Sequence, residues 1–422
     1  MIQLVRGFKD ILPGAIELWQ YIEDVMRGIF EDFGFSQIRT PILERTELFA
    51  RGIGATTDIV EKEMYTFSDL KNESLAMRPE ATASVVRAYI EHKMYAKNPV
   101  QKLYSMGPMF RRERPQKGRY RQFYQINAEV FGLHSPKIDA EMILLLMTLM
   151  DKLSFSDIVL NINSLGCEKC RPAFKGKLQT YLNERIETLC PDCRRRSAIN
   201  PLRVFDCKVS SCQESLEGAP TIVDLLCEEC QNHFSAVLDF LDRFQIPYQL
   251  NPRLVRGLDY YTRTAFEVLA ARLGAQNAVA GGGRYDGLVK ALGGPAQPGV
   301  GFAVGLDRLA SLLAGCAPGL IKRPSVFIAA LGSRAQDRAF VWLQTLRLEG
   351  IRTEMDVEDR SLKSQMRQAD KSGASYVLVV GDRELEEGTA VWRDMTTKEQ
   401  KTVPLEEVIT FVKNSVAGEA SD

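Results

Sequence analysis

Histidine is scarce in this sequence: His92, His134 and His233 are the only three among 422 residues. No HExxH pair occurs, which excludes zincin chemistry, and the sole Gly-Lys pair, Gly176-Lys177, is not a Walker-type phosphate loop. Net charge is also missing, since 54 basic side chains cancel 54 acidic ones. Any nucleic-acid partner must therefore be met by a local patch. No run of about 18 apolar residues exists, and the richest stretch, Met142 to Met150, is too short to span a bilayer. The start, Met1-Ile2-Gln3-Leu4-Val5-Arg6, lacks the basic and apolar regions of a secretory signal. The expectation is a cytoplasmic protein with no membrane partner.

What is present is globular: 45% hydrophobic and 26% charged residues, over a length that predicts two to four domains. Eight of the nine cysteines fall in pairs, Cys167/Cys170, Cys190/Cys193, Cys207/Cys212 and Cys227/Cys230, while Cys316 stands alone. A reducing compartment argues against disulfides. The first two pairs give C-x2-C-x19-C-x2-C, inside the window for a tetrathiolate Zn2+ site. The spacing thus groups Cys167, Cys170, Cys190 and Cys193, with Cys207, Cys212, Cys227 and Cys230 as a second set. The alternative is a subdomain packed with free thiols.

Helical periodicity runs from Ala15 to Gly34, and a proline-cut strand follows over Phe35–Pro41. Val100 to Arg111 and Gln122 to Phe131 read as strands around a polar loop, and Asp139 to Leu153 as a buried helix. The texture changes near Ser164, where the cysteines and Arg194-Arg195-Arg196 begin. Gly281-Gly282-Gly283 reads as a glycine-rich corner, and a helix over Leu306–Ala314 follows it. Past Pro324, strands and helices alternate, as in a small mixed α/β domain. The expected divisions are 1–163, an inserted cysteine-rich segment 164–247, 248–322, and 323–422.

The densest chemical signal is Arg111 to Arg121, in which six of eleven residues are basic and only Glu113 is acidic. Arginines grip phosphate oxygens through paired donors, and flanking aromatic residues can stack on a base. A solvated basic hairpin tip is the plainer alternative.

This stretch resembles motif 2 of the class II aminoacyl-tRNA synthetases. Gly301 to Leu309 resembles their motif 3, and the helix before Pro41 their motif 1. Leu254-Val255-Arg256-Gly257-Leu258-Asp259-Tyr260-Tyr261 and Ala280-Gly281-Gly282-Gly283-Arg284-Tyr285-Asp286-Gly287-Leu288 narrow the resemblance to the histidyl-tRNA synthetases, as does Arg6 to Pro13. The resemblance runs from residue 6 to about 415 and implies an α+β fold. Its antiparallel sheet is flanked by helices, with a small inserted helical domain and a C-terminal mixed α/β domain that reads the anticodon. It also implies a homodimer that uses ATP, Mg2+, L-histidine and tRNA(His).

By that pattern Arg111 and Arg256 hold the α-phosphate and are catalytic. Arg119 and Arg308 reach the outer phosphate, Phe123 stacks on adenine, and Glu113 is a candidate magnesium ligand. Histidine's amine falls to Glu80, Thr82 and Gln125, in the turn that includes Ala81. Its ring falls to Glu129 and Tyr261, with Tyr260 and Tyr285 as walls. Arg114, Gln116 and Arg121 are placed on tRNA. Ala81 departs from the family's usual glycine. Glu80 as a helix cap and Arg256 as an ion-pair partner of Asp259 are the structural alternatives. A non-catalytic, histidine-sensing regulatory paralogue is the functional one.

Overall fold

The computed structural model describes residues 1–54, 57–116, 118–314, 319–358 and 360–419. Two compact units divide the chain, Met1–Ala317 and Pro318–Asp422. Cys316 lies outside the described residues.

The strands of the first unit, in chain order, are β1 (Ser36–Gln37), β2 (Leu43–Arg45), β3 (Tyr65–Ser68), β4 (Ser74–Met77), β5 (Gln101–Phe110), β6 (Gln122–Phe131), β7 (Ile158–Ser164), β8 (Gln249–Leu250), β9 (Thr262–Ala270), β10 (Ala278–Arg284) and β11 (Gly299–Gly305). Eight of them form one sheet in the order β1-β5-β6-β11-β10-β9-β7-β8, and β2-β4-β3 form a small second one. The large sheet is antiparallel except for its two-residue edges, β1 on β5 and β8 on β7.

Alternation assigns the faces. Ile126, Ala128 and Val130 on β6, Phe302 and Val304 on β11, and Phe266 and Val268 on β9 point into the main core. Against them pack the helix Ile16–Asp32, through Trp19, Ile22, Met26, Ile29 and Phe30, and the helix Pro136–Lys152. The Ile16–Asp32 face is thus covered within its own chain. Beneath this layer Arg284 is fully buried, with Nε 3.1 Å from Asp139 and Nη1 3.0 Å from Asp286. His233 Nε2 lies 3.3 Å from Asp139 on the other side.

The strand expected over Phe35–Pro41 shrinks to β1, because the proline and exposed flanking side chains leave little to pair. Gly281-Gly282-Gly283 is not a corner. These glycines occupy the middle of β10, paired on both sides.

Between β7 and β8 run the helices Arg171–Asn183, Pro191–Ile199, Ser210–Ser215 and Glu228–Arg243, joined by short 3-10 turns. Their own core is small, with Phe174, Leu178, Leu182, Leu189, Val204, Phe205, Leu216 and Ile222 beside Cys193, Cys207 and Cys212.

In the second unit β12 (Val326–Leu331), β13 (Thr353–Met355), β14 (Tyr376–Gly381), β15 (Thr389–Asp394) and β16 (Gln400–Pro404) are ordered β13-β12-β14-β15-β16. The first three are parallel and the last two antiparallel. β12 is apolar on both faces: Val326, Ile328 and Ala330 meet the helix Ser333–Leu348, while Phe327 and Ala329 meet Ala369 of the helix Leu362–Ser372. Among the described residues no helix is long and apolar enough to cross a membrane.

Candidate active site

The face of the large sheet opposite the core carries the polar residues. On β6 that face bears Phe123 and the polar Gln125, Asn127 and Glu129, two residues apart and therefore on one side. From Phe123 to Glu129 this row spans about 20 Å at 3.4 Å per residue. Pairing sets the floor beside it. Glu129 stands level with Gly301, Gly283 and Ala265, and Asn127 with Ala303, Gly281 and Glu267. Residues without bulk thus fill the middle of the sheet, between acidic and amide side chains at its sides. The space is needed: a Cβ on Gly301 would stand 1.8 Å from Glu129 Oε2, and one on Gly281 would stand 2.4 Å from the Arg256 guanidinium.

One end of this trough is acidic and aromatic. Glu129 accepts a 2.6 Å hydrogen bond from Thr82 Oγ1 and another from the Tyr285 hydroxyl. Burial pushes its carboxyl up to about 8, although both hydroxyls pull the other way. The Glu80 carboxylate accepts from the backbone N–H of Thr82 at 2.7 Å and of Ala83 at 2.9 Å. It therefore caps the helix Thr82–Glu91, and burial raises its pKa against those two bonds. Ala81 has a φ of −100°, which any residue adopts, and its methyl is fully buried. Tyr260, Tyr261 and Tyr285 close this end, with ring centroids 4.7 to 6.4 Å apart.

The other end is cationic. Arg111 Cζ lies 5.1 Å from the Phe123 ring centroid, and its Nε donates to Pro79 O at 2.9 Å. Glu113 sits between Arg119, at 2.6 Å, and Arg111, at 3.6 Å. Arg308 donates to the Ala278 carbonyl, and its Nε reaches Gly118 O at 3.5 Å. Burial first, and then the charges of Arg119 and Arg111, push the Arg308 pKa below its ordinary value. Crowded like charges of this kind are relieved by a polyanion.

Arg256 joins the two ends. Its Nη1 is 2.7 Å from Glu267 Oε1, and its guanidinium carbon lies 5.7 Å from the Tyr261 ring centroid. Asp259 is not its partner. That carboxylate faces Asn200 at 3.2 Å and Arg203 at 3.4 Å, both from the inserted segment.

The histidine- and ATP-site residues singled out from sequence converge, whereas the three placed on tRNA, Arg114, Gln116 and Arg121, lie apart from them. Arg121 turns inward: its Nη1 reaches Arg6 O at 3.2 Å, and its backbone N–H donates to Gly7 O at 2.7 Å, so it ties down the N-terminal segment. Arg114 and Gln116 are exposed. The quartet Cys167, Cys170, Cys190 and Cys193 is corrected. Among the described residues the thiols gather instead as Cys167, Cys170, Cys227, Cys230 and as Cys190, Cys193, Cys207, Cys212. The chain returns to its starting point at Cys227, which linear spacing does not reveal.

Sequence reasoning missed Glu267, Asn127 and Glu63. Buried Asn127 Oδ1 and Gln125 Oε1 have no hydrogen-bond partner among the described residues, so both await one. Burial, and then the nearby Glu113 carboxylate, raise the Glu63 pKa. Its alternation with Gln125 and Glu129 along β6 was the available signal for Asn127.

A family model described as histidyl-tRNA synthetase matches residues 7–309, and one described as an anticodon binding domain matches residues 325–415. A histidine–tRNA ligase of Desulfatibacillum aliphaticivorans is 58% identical over 406 residues, 96% of this chain and 97% of that protein. One from Geobacter sulfurreducens is 55% identical over 405 residues, 96% of this chain and 98% of that protein. Among solved structures, apo S. aureus histidyl-tRNA synthetase matches with a TM-score of 0.82 at 37% identity, over 98% of this chain and 100% of that one. The chain belongs to the histidyl-tRNA synthetase family.

Proposed function

We propose that this protein joins L-histidine to tRNA(His) in two steps. A histidine carboxylate oxygen attacks the α-phosphorus of ATP, the bond to the bridging oxygen breaks, and pyrophosphate leaves with that electron pair. A ribose hydroxyl at the tRNA 3′ end then attacks the acyl carbon, and AMP departs.

The observation that carries this reading is the β6 row, with its cationic, aromatic end at Phe123 and its acidic end at Glu129. A nucleobase on Phe123 and an imidazole against Glu129 leave the reacting atoms between Gln125 and Asn127, below Arg256. Neither carboxylate attack nor departure of pyrophosphate needs a general base. Fixed cations that neutralise two approaching anions therefore lower the barrier. Arg256 and Arg111 serve the α-phosphate, and Arg119 and Arg308 serve the outer phosphates. The ring of histidine meets Glu129 and Tyr261, and its amine meets Thr82, Gln125 and the turn at Glu80 and Ala81. Because each polar group of the substrate has a partner, an analogue lacking one strands a buried group and is rejected.

Magnesium enters with ATP as part of the substrate. Glu113 is its candidate ligand, and the neighbouring Glu63 carboxyl adds negative potential there. Exposed Arg112 and Arg114 face tRNA phosphates, and the second unit reads the anticodon. The protein works in the cytoplasm as a homodimer, for which exposed Ile42, Leu43 and Phe67 on and beside the small sheet supply apolar surface. A sedimentation mass of one chain at micromolar concentration overturns the dimer.

The decisive assay is histidine-dependent ATP–pyrophosphate exchange, followed by charging of tRNA. Exchange with histidine alone, and charging once tRNA is added, support the reading. Histidine binding without exchange supports the regulatory alternative, to which full-length similarity to ligases lends nothing.

A further inference from the structure

We propose that the inserted segment is built around two structural zinc ions, one held by Cys167, Cys170, Cys227 and Cys230 and the other by Cys190, Cys193, Cys207 and Cys212. Within each quartet all four Sγ atoms lie within 4.8 Å of one another. Four sulfurs at about 2.3 Å from a central zinc stand about 3.8 Å apart along each tetrahedral edge. The resolved contacts fall on that edge: Cys167 to Cys170 at 3.7 Å, Cys167 to Cys227 at 3.8 Å, and Cys190 to Cys207 at 3.9 Å. All eight thiols are free, and these separations are too long for a sulfur–sulfur bond. They are also too short for ligands spread around a multi-iron cluster, whose sulfurs bind different metal atoms.

The surrounding backbone suits thiolates. Cys227 N–H donates to Cys170 Sγ at 3.1 Å, and Cys190 N–H donates to Cys212 Sγ at 3.2 Å. Hydrogen bonds of this kind favour the charged sulfur and fix its orientation. The Cys-x2-Cys pairs at Cys167, Cys190 and Cys227 each lie where a helix begins, at Arg171–Asn183, Pro191–Ile199 and Glu228–Arg243. There an i, i+3 pair presents both sulfurs to one side.

The two sites are nested. The first joins the entry and exit of the segment, and the second lies inside that loop. The apolar core around Phe174 and Val204 is small, and small domains generally need such a staple. The segment so stapled also grips the loop that bears Arg256. Arg203 donates to Gly257 O at 2.6 Å, and Asn200 donates to Asp259 at 3.2 Å.

The test is elemental analysis of full-length protein purified under reducing conditions without chelator. The expected content is about two zinc ions per chain. Less than about 0.1 metal per chain overturns the proposal, and iron in place of zinc overturns the identity of the ion. Double variants test the nesting. Cys170→Ser/Cys230→Ser and Cys193→Ser/Cys212→Ser should each lose one ion, and Cys170→Ser/Cys193→Ser should lose both. Sequential pairing of the quartets reverses that pattern and overturns the assignment. Should the variants fail to fold, X-ray absorption on the wild-type protein decides: a shell of four sulfurs at about 2.3 Å supports the sites, and a mixed sulfur and nitrogen or oxygen shell overturns them.

Discussion

Arg256 Nη1 and Glu267 Oε1 are 2.7 Å apart, and the guanidinium sits over Gly281, where a Cβ would stand 2.4 Å from it and displace it. An arginine already held by a carboxylate on the sheet is preorganised, so little reorganisation remains at the moment of reaction. Lysine's ammonium has three donors but is compact, and lacks the planar fork with which a guanidinium spans Glu267, a substrate carboxylate and a phosphate at once. Arg256→Ala should lower the rate of adenylate formation by roughly 10²–10³, about 2.7–4 kcal/mol, and weaken histidine binding far less. Arg256→Lys should recover only part. Gly281→Ala, which keeps the arginine but fills its seat, should reproduce the loss. Single-turnover adenylation checks all three. If Arg256 serves only as a structural partner of Glu267, the alanine variant will melt earlier yet adenylate within a few fold of wild type.

The β5 and β6 hairpin was legible to within a residue or so, because long apolar strands flank a polar, basic loop. The residues around Glu129 were legible as well, through resemblance. Three features were not. The nested cysteines depend on the path by which the helix Glu228–Arg243 comes back to the sheet, a tertiary fact that linear spacing does not encode. Glu267 stands alone among the apolar residues Ala265 to Ala270 of β9, Asn127 alternates with Gln125 and Glu129 on β6, and only the register across β9, β10, β11 and β6 shows both facing one trough. Arg121 reads as one more basic tip residue until its contacts with Arg6 and Gly7 are seen.

Glu129 predicts a proton linkage. Its folded value of about 8 exceeds that of an ordinary glutamate, so the ligand-free carboxyl keeps its proton near neutrality. The associated stability is fully present below the ordinary glutamate value and is lost as pH rises through about 8. An imidazole N–H donating to Glu129 favours the carboxylate, so histidine binding near pH 7 should release a proton. Calorimetry in buffers of different ionisation enthalpy measures this. Buffer-independent enthalpy in the wild type contradicts the assignment, and Glu129→Gln should abolish the release.

The buried pair of Arg284 and Asp139 sets a stability prediction. Asp139→Asn removes the buried negative charge that lies between Arg284 and His233, leaving the fully buried guanidinium only the Asp286 carboxylate at 3.0 Å. Breaking one side of such a pair costs about 3–5 kcal/mol. Burial alone would raise the Asp139 pKa, but His233, with Nε2 3.3 Å away, and the Arg284 charge bring it below the ordinary value. The pair's contribution is therefore present above the ordinary aspartate range and is lost as pH falls through the lower folded value. Urea unfolding at neutral and acid pH should show the wild-type advantage over the variant shrinking in acid. An unchanged gap would show that the Asp139 charge is not its source.

tRNA binding should be steeply salt-dependent despite zero net charge, but from fewer residues than the basic runs suggest. Arg196 is committed to Asp58 at 2.9 Å, Arg195 lies 3.5 Å from Glu61, and Arg121 is tied to the N-terminal segment. Arg112 and Arg114 remain exposed on the loop between β5 and β6. Each phosphate contact contributes close to one unit of slope in log affinity against log salt, about 0.7 to 0.9 depending on strandedness. Arg114→Ala should reduce that slope by about one unit and weaken binding at low salt. Arg121→Ala should leave the slope unchanged while loosening the Arg6 and Gly7 segment, visible as faster amide exchange there. The two variants carry the same charge change, so net charge cannot account for a difference between them. Equal slopes for both, or a flat dependence in the wild type, would place the tRNA contact elsewhere.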